Sequence, residues 1–267
     1  MDKSTVAVVQ MVSTPIVAEN LDTVRRLVHV AAARGARFIV LPEYFCILGM
    51  NERDKIAVRE QDGDGPIQAC LADTARREGV WLVGGSVPLA TTAADKVRSA
   101  CLVYDDRGER VARYDKIHLF GFESGNERYR EANTIEPGST PLAIDTPFGR
   151  VALTICYDVR FPELYRGLGP VDIILVPSAF TATTGRAHWE VLLRARAIEN
   201  QAYVLAPAQG GRHPNGRETH GHTMIIDPWG AIIAEEASGE AVLTGTVDPA
   251  DIARVRTSLP ALEHRRL

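Results

Sequence analysis

Apolar and polar positions along the chain fall into two alternating rhythms. Short β-branched runs at residues 5–10, 38–41, 81–87, 100–104, 151–155, 172–176 and 203–208 predict strands. Between them, Leu21, Val24, Val28 and Ala31 recur at helical spacing, and Gly35 follows as a C-cap. Pro66 opens a second helix that carries Ile67, Leu71 and Ala75 and ends at Gly79. Residues 185–200 predict a third. Asp105-Asp106-Arg107-Gly108 signals a hairpin turn, and residues 222–226 and 241–247 are expected to pair across Asp227-Pro228-Trp229-Gly230. No stretch reads as a linker, a low-complexity segment or a short-period repeat. The pattern predicts a single α/β domain over residues 1–267, with helices covering both sides of its sheets.

Composition narrows the partners. With 45 % apolar and 24 % charged residues the chain has enough apolar material for a sizeable core. A net charge of −4 gives no basic surface for nucleic acid or for anionic lipid. No run approaches the ~18 apolar residues that a membrane span requires, and the stretch 6–9 after Met1-Asp2-Lys3-Ser4 is too short for a signal-peptide core. A soluble, cytoplasmic protein is the expectation. Cys46, Cys70, Cys101 and Cys156 form no C-x-x-C pair, so neither a zinc knuckle nor a disulfide framework is expected.

Three apolar segments end in a single reactive residue: Glu43 after 38–42, Lys116 after 113–115 and Cys156 after 151–155. In open α/β folds the carboxyl ends of strands are where ligands bind, so this layout lets the three converge. Taken singly, each has a structural alternative. Glu43 can serve a helix N-terminus, Lys116 can be a solvated charge at a sheet edge, and Cys156 can be core packing.

Leu41-Pro42-Glu43, the block from Tyr114 to Phe120 (YDKIHLF), and Cys156-Tyr157-Asp158-Val159-Arg160-Phe161-Pro162-Glu163 resemble the three signature blocks of the carbon–nitrogen hydrolase (nitrilase) superfamily, in the family's order and approximate spacing. The resemblance extends through residues 185–201 to Asp227-Pro228-Trp229-Gly230. It implies a four-layer α-β-β-α sandwich, association into a homodimer or higher homo-oligomer with the tail (about 248–267) at the interface, and a Glu43–Lys116–Cys156 triad. It implies no metal and no organic cofactor. A second glutamate usually follows the lysine block; aligned back from Pro137-Gly138 it is Glu131, with Glu123, Glu127 and Glu136 nearby.

Amide hydrolysis suits these residue types. A thiol divides the reaction into acylation and deacylation, and a buried carboxylate with a raised pKa can take the thiol proton, deliver it to the leaving amine and later activate water. In this scheme Lys116 and the Tyr157 backbone N–H stabilise the oxyanion, and Glu131 orients Lys116 or the substrate amide.

The CYDxRFPE block resembles the amidase branches rather than the nitrilases or N-carbamoyl amino acid hydrolases. Residues 208–213 with 221–224, and 259–266, are most similar to deaminated glutathione amidases, whose substrate releases a peptide amine. The alternative is an ω-amidase, N-carbamoyl amino acid hydrolase or nitrilase with the same triad, and a non-catalytic scaffold is a third class. Tyr44, Tyr157, Phe180, Thr181 and Thr184 are candidate substrate contacts. Arg160 is either a carboxylate anchor or a brace for the turn after Cys156. The loop around Cys46 and Met50 and residues 121–126 are expected at the substrate rim. His213, His220 and His222 are expected to be loop and strand residues rather than metal ligands.

Overall fold

The computed structural model describes residues 2–125 and 127–266. The first half supplies β1 (Ser4–Gln10), β2 (Phe38–Val40), β3 (Trp81–Ala90), β4 (Val97–Tyr104) and β5 (Arg110–Asp115), followed by a ribbon of β6 (Gly121–Ser124) and β7 (Glu127–Arg130). The second half supplies β8 (Leu142–Thr146), β9 (Gly149–Leu153), β10 (Ile173–Leu175) and β11 (Tyr203–Ala206). A ribbon of β12 (Gly210–Arg212) and β13 (Glu218–His220) comes next, then β14 (Thr223–Ile226), β15 (Ile232–Glu236) and β16 (Ala241–Val247). One six-stranded sheet has the order β16-β1-β2-β3-β4-β5, and the other β15-β14-β11-β10-β9-β8.

Period-two alternation builds the layers. In the first sheet Val6, Val8, Phe38, Val40, Cys101 and Val103 face the second sheet and join one large core with Val151, Leu153, Ile173 and Leu175. Their neighbours Ala7, Val9, Ile39, Leu41, Ala100 and Leu102 point the other way, onto α1 (Val17–Ala33) and α3 (Pro66–Glu78). A short α2 (Asp54–Ala57) lies between these helices in sequence. The second sheet is covered by α5 (Ala182–Asn200), whose Trp189, Leu193 and Ala197 complete the large core; α4 (Pro162–Gly167) precedes it and α6 (Pro249–Ser258) follows the last strand. The result is the four-layer α-β-β-α sandwich. Both faces of each central sheet are buried, which is why the strands read as nearly unbroken apolar runs.

Two expectations are corrected. Residues 241–247 do not pair with 222–226. Asp227 caps its own turn, with Oδ1 accepting from Trp229 N (2.9 Å) and Ala231 N (2.8 Å), and so hands the chain directly to β15, which pairs with β14. β16 crosses to the other sheet and pairs antiparallel with β1 from Ser4↔Val247 to Gln10↔Ala241, sealing an edge that would otherwise expose its amides. The helix expected at 185 begins at Ala182, because Thr181 is its N-cap and accepts a bond from Thr184 N.

Candidate active site

Residues at the carboxyl ends of strands from both sheets meet at one end of the sandwich. Leu41 still bonds Val83 O (2.9 Å), so the chain turns away from β2 only at Pro42 and presents Glu43. Gly85 permits this turn, since a Cβ there would collide with the Leu41 and Pro42 carbonyl oxygens. Lys116 directly follows β5; its N–H donates to Ser99 O (2.9 Å) and its carbonyl accepts from Gly138 N (2.8 Å). Cys156 comes from the second sheet. Its N–H donates to Pro177 O (3.0 Å), and its φ of 50° lies in the left-handed region that non-glycine residues rarely occupy outside functional turns.

Asp158, fully buried two residues later, fixes that turn. Its Oδ2 accepts from Ile155 N (2.9 Å) and from Tyr114 OH (2.7 Å), while its Oδ1 accepts from His118 N (3.0 Å) and faces His118 Nδ1 (2.8 Å). Tyr114 and His118 flank Lys116, so one carboxylate ties the cysteine turn of one sheet to the lysine strand of the other.

Lys116 Nζ is buried between two carboxylates. It donates to Glu43 Oε1 at 2.8 Å and to Glu131 Oε1 and Oε2 at 3.0 and 2.8 Å. The other Glu43 oxygen accepts from Ala179 N (2.9 Å). Glu131 also receives Tyr44 OH (2.9 Å) and Phe120 N (2.7 Å). These surroundings push the two carboxyls apart. Burial raises Glu43, against the pull of Lys116 and with the charge of Glu131 adding to the rise. Burial also opposes ionisation of Glu131, but the Lys116 charge and hydrogen bonds, with Lys55 and Phe120 N–H, outweigh it and hold Glu131 below the usual carboxylate range. Lys116 is lifted well above its ordinary value because Glu131 and Glu43 outweigh its desolvation. Burial and the neighbouring Glu43 charge push the Cys156 thiol well up, with Lys116 opposing. Of the two carboxyls, Glu43 is therefore the one that more readily holds a proton, and burial favours the thiol form of Cys156.

A cavity of about 280 Å³ opens on this cluster, lined by Glu43, Glu131, Cys156, Tyr157, Phe180 and Arg217 with Phe120, Ala179, Thr181 and Thr184. Tyr157, Phe180, Thr181 and Thr184 thus all line the cavity, and the two threonines also bond each other (2.9 Å) in the cap of α5. Tyr44 braces Glu131 and lines the adjoining groove instead. Arg160 does not line the cavity. Its guanidinium lies 5.6 Å from the Tyr157 ring and 5.4 Å from the Phe180 ring, with Nη1 3.3 Å from His188 Nδ1. The Tyr157 N–H is among the first amides of a 3-10 turn, which have no acceptor within the turn.

The competing glutamates lie elsewhere. Glu123 pairs with Arg128 and Arg130, Glu136 with Arg98, and Glu127 sits on β7 opposite Ser124. Cys46 is packed, its Sγ 3.7 Å from Ser86 O, and burial raises its pKa. His213 is buried, with Nδ1 2.9 Å from Ser13 O and Nε2 2.8 Å from Thr219 Oγ1; His220 stacks on His222. Among the described residues no cluster of three or more His, Cys, Asp or Glu side chains is placed to hold a metal. Of the expected rim segment 121–126, Asn126 lies outside the described residues.

Sequence reasoning missed Arg217 and the tie made by Asp158. Asp158 stood inside a recognised block without a role. Arg217 sits in a loop with no periodicity and reaches the site only because His213 N bonds Arg217 O across a turn (2.9 Å).

Residues 5–257 match the carbon-nitrogen hydrolase family, and the chain belongs to it. It is a hydrolase that acts on amides. A deaminated glutathione amidase of Yersinia enterocolitica is 40 % identical over 271 residues, covering 100 % of this chain and 94 % of that one. A deaminated glutathione amidase of Synechocystis is 41 % identical over 266 residues, covering 97 % of each. Among solved structures, the NitFhit protein of C. elegans superposes with a TM-score of 0.91 at 36 % identity; the match covers 100 % of this chain but 66 % of that longer one.

Proposed function

We propose that the chain hydrolyses deaminated glutathione or a closely related keto-acid amide through a Cys156 thioester, with Glu43 as general base and acid. The observation that carries this reading is the buried Lys116 shared by Glu43 and Glu131 beside Cys156. The similarity to deaminated glutathione amidases over the full chain supports the substrate.

The thiol proton passes to Glu43 as sulfur attacks the amide carbon. Negative charge then leaves Glu43 and appears on the carbonyl oxygen, which Lys116 and the Tyr157 N–H stabilise. Charge migrates within reach of one lysine, and the net charge of the cluster is unchanged. Glu43 returns the proton to the nitrogen as the C–N bond breaks, releasing the amine and leaving the thioester. Water then attacks, Glu43 takes its proton, and the thiol is restored with release of the carboxylic acid. Glu131, kept ionised, holds Lys116 and the amide in place. The acyl chain packs along Tyr157, Phe180, Thr181 and Thr184, and Arg160, stacked near the Tyr157 and Phe180 rings, braces that wall from outside the cavity. No metal or organic cofactor enters the scheme.

The chain acts as a single domain and as a homodimer or larger assembly in the cytoplasm. Exposed Val191 and Ile198 on α5, with Trp229 and Leu259, support an interface that includes the tail; Ile198 packs at Gly230, and Gln201 bonds Leu259 O. Among the described residues no helix is long and apolar enough to cross a membrane.

The test is turnover of deaminated glutathione, α-ketoglutaramate, succinamate, a carbamoyl amino acid and an aliphatic nitrile, with products identified by mass. Cys156-dependent release of cysteinylglycine is expected, and Cys156→Ala is the control. Preference for another member of the panel replaces the substrate; full activity of Cys156→Ala removes the mechanism.

A further inference from the structure

A second groove, of about 300 Å³, adjoins the cavity and is lined by Tyr44, Asn51, Glu52, Lys55, Asn215 and Arg217 along the loop 47–49. Arg217 is common to both walls. From this we infer that the groove is a leaving-group subsite, in which Arg217 binds the terminal carboxylate of a departing peptide amine. The inference rests on the amidase reading above.

Three observations point to this class of ligand. The first is an unspent cation. Arg217 gives Nη2 to Ala179 O (2.9 Å) and lies 5.1 Å from the Tyr129 ring, but its Nε is buried with no acceptor. A buried guanidinium N–H without a partner calls for an anion, and a carboxylate matches its fork geometry. The second is position. Tyr44 lines the groove and bonds Glu131, so the groove starts one side chain away from the carboxylate that holds Lys116. The third is continuity. The cavity and the groove share Arg217 as a wall, so together they give an amide bearing a dipeptide two adjoining compartments. Charge in the groove agrees: Glu52 is paired with Lys55 (2.6 Å), and Arg217 adds a further positive charge to the lining.

The test uses three amides that share one acyl group and so form the same thioester: 2-oxoglutarate 5-amides of ammonia, of cysteinylglycine, and of cysteinylglycine blocked as its C-terminal amide. The full chain is expected to prefer the free dipeptide over the blocked one by tenfold or more in kcat/KM. In Arg217→Gln that preference should fall to within about twofold, and Arg217→Lys should restore part of it. Equal rates on free and blocked dipeptide in the unmutated protein overturn the subsite while leaving the amidase intact, a measurement that does not depend on any variant folding. A preference that survives Arg217→Gln overturns the assignment to Arg217. No turnover of any of the three overturns the proposed keto-acid amide substrate, and the subsite with it.

Discussion

Replacing Lys116 with Met removes one positive charge and keeps the volume. The three short bonds from Nζ disappear, and Glu43 and Glu131 are left facing each other in a buried site. Breaking a buried ion pair by removing one partner costs about 3–5 kcal/mol. At about 2–4 °C per kcal/mol for a chain near this size, Tm should fall by about 6–20 °C. Turnover should fall by about 100–1,000-fold or more, because the oxyanion loses its cation. The loss of stability should also depend on pH. Without Lys116 both carboxyls acquire folded-state pKa values above their unfolded ones, so the penalty is largest at high pH and shrinks as pH falls through those values. In the unmutated protein Glu131 is held low, and its contribution is lost only as pH falls through that lowered value. The Tm gap between the two proteins should therefore be wider at pH 8 than at pH 5. Calorimetry across that range, with turnover on the preferred amide, is the assay. The double variant Lys116→Met/Glu131→Gln should regain part of the Tm without activity. An unchanged Tm, or a rate loss below tenfold, refutes the argument.

Other outcomes follow from the same geometry. Because burial raises Glu43, the acidic limb of kcat/KM should have its midpoint above the ordinary carboxylate value of 4.5; a limb at or below it would remove Glu43 as the base. Asp158→Asn places an N–H where only acceptors are used, so kcat should drop about tenfold or more at nearly unchanged KM, and an undisturbed kcat would show that the turn holds itself. Gly85→Ala should displace the Glu43 segment and lower activity far more than an alanine at exposed Gly63, as parallel rate assays would reveal. Thr181→Ala should cost about 1 kcal/mol through the lost cap of α5, measurable by denaturant unfolding.

Much of this was legible in the sequence because it rests on local pattern. Unbroken apolar runs marked the central strands, Pro66 and Gly79 marked the ends of α3, and Glu43, Lys116 and Cys156 each stood where a strand ran out. The counting that selected Glu131 led to the glutamate that reaches Lys116. What escaped depends on distance in sequence. The pairing of β16 with β1 joins the two ends of the chain, and nothing in residues 241–247 distinguishes a partner at 223–226 from one at 4–10. Arg217 acquires meaning only from Ala179 and Tyr129, which lie far away along the chain. Arg160, prominent in its block, stands behind the aromatic wall rather than in it.

Glu43 and Lys116 extend from one sheet and Cys156 from the other. On the proposed mechanism, a chain in which only one sheet has formed carries either the base or the nucleophile, never both. Recovery of activity during refolding would then report the packing of one sheet on the other, and the apolar layer that includes Phe38, Val40, Val151 and Leu153 acts as the gauge block that sets the gap between sulfur and carboxylate.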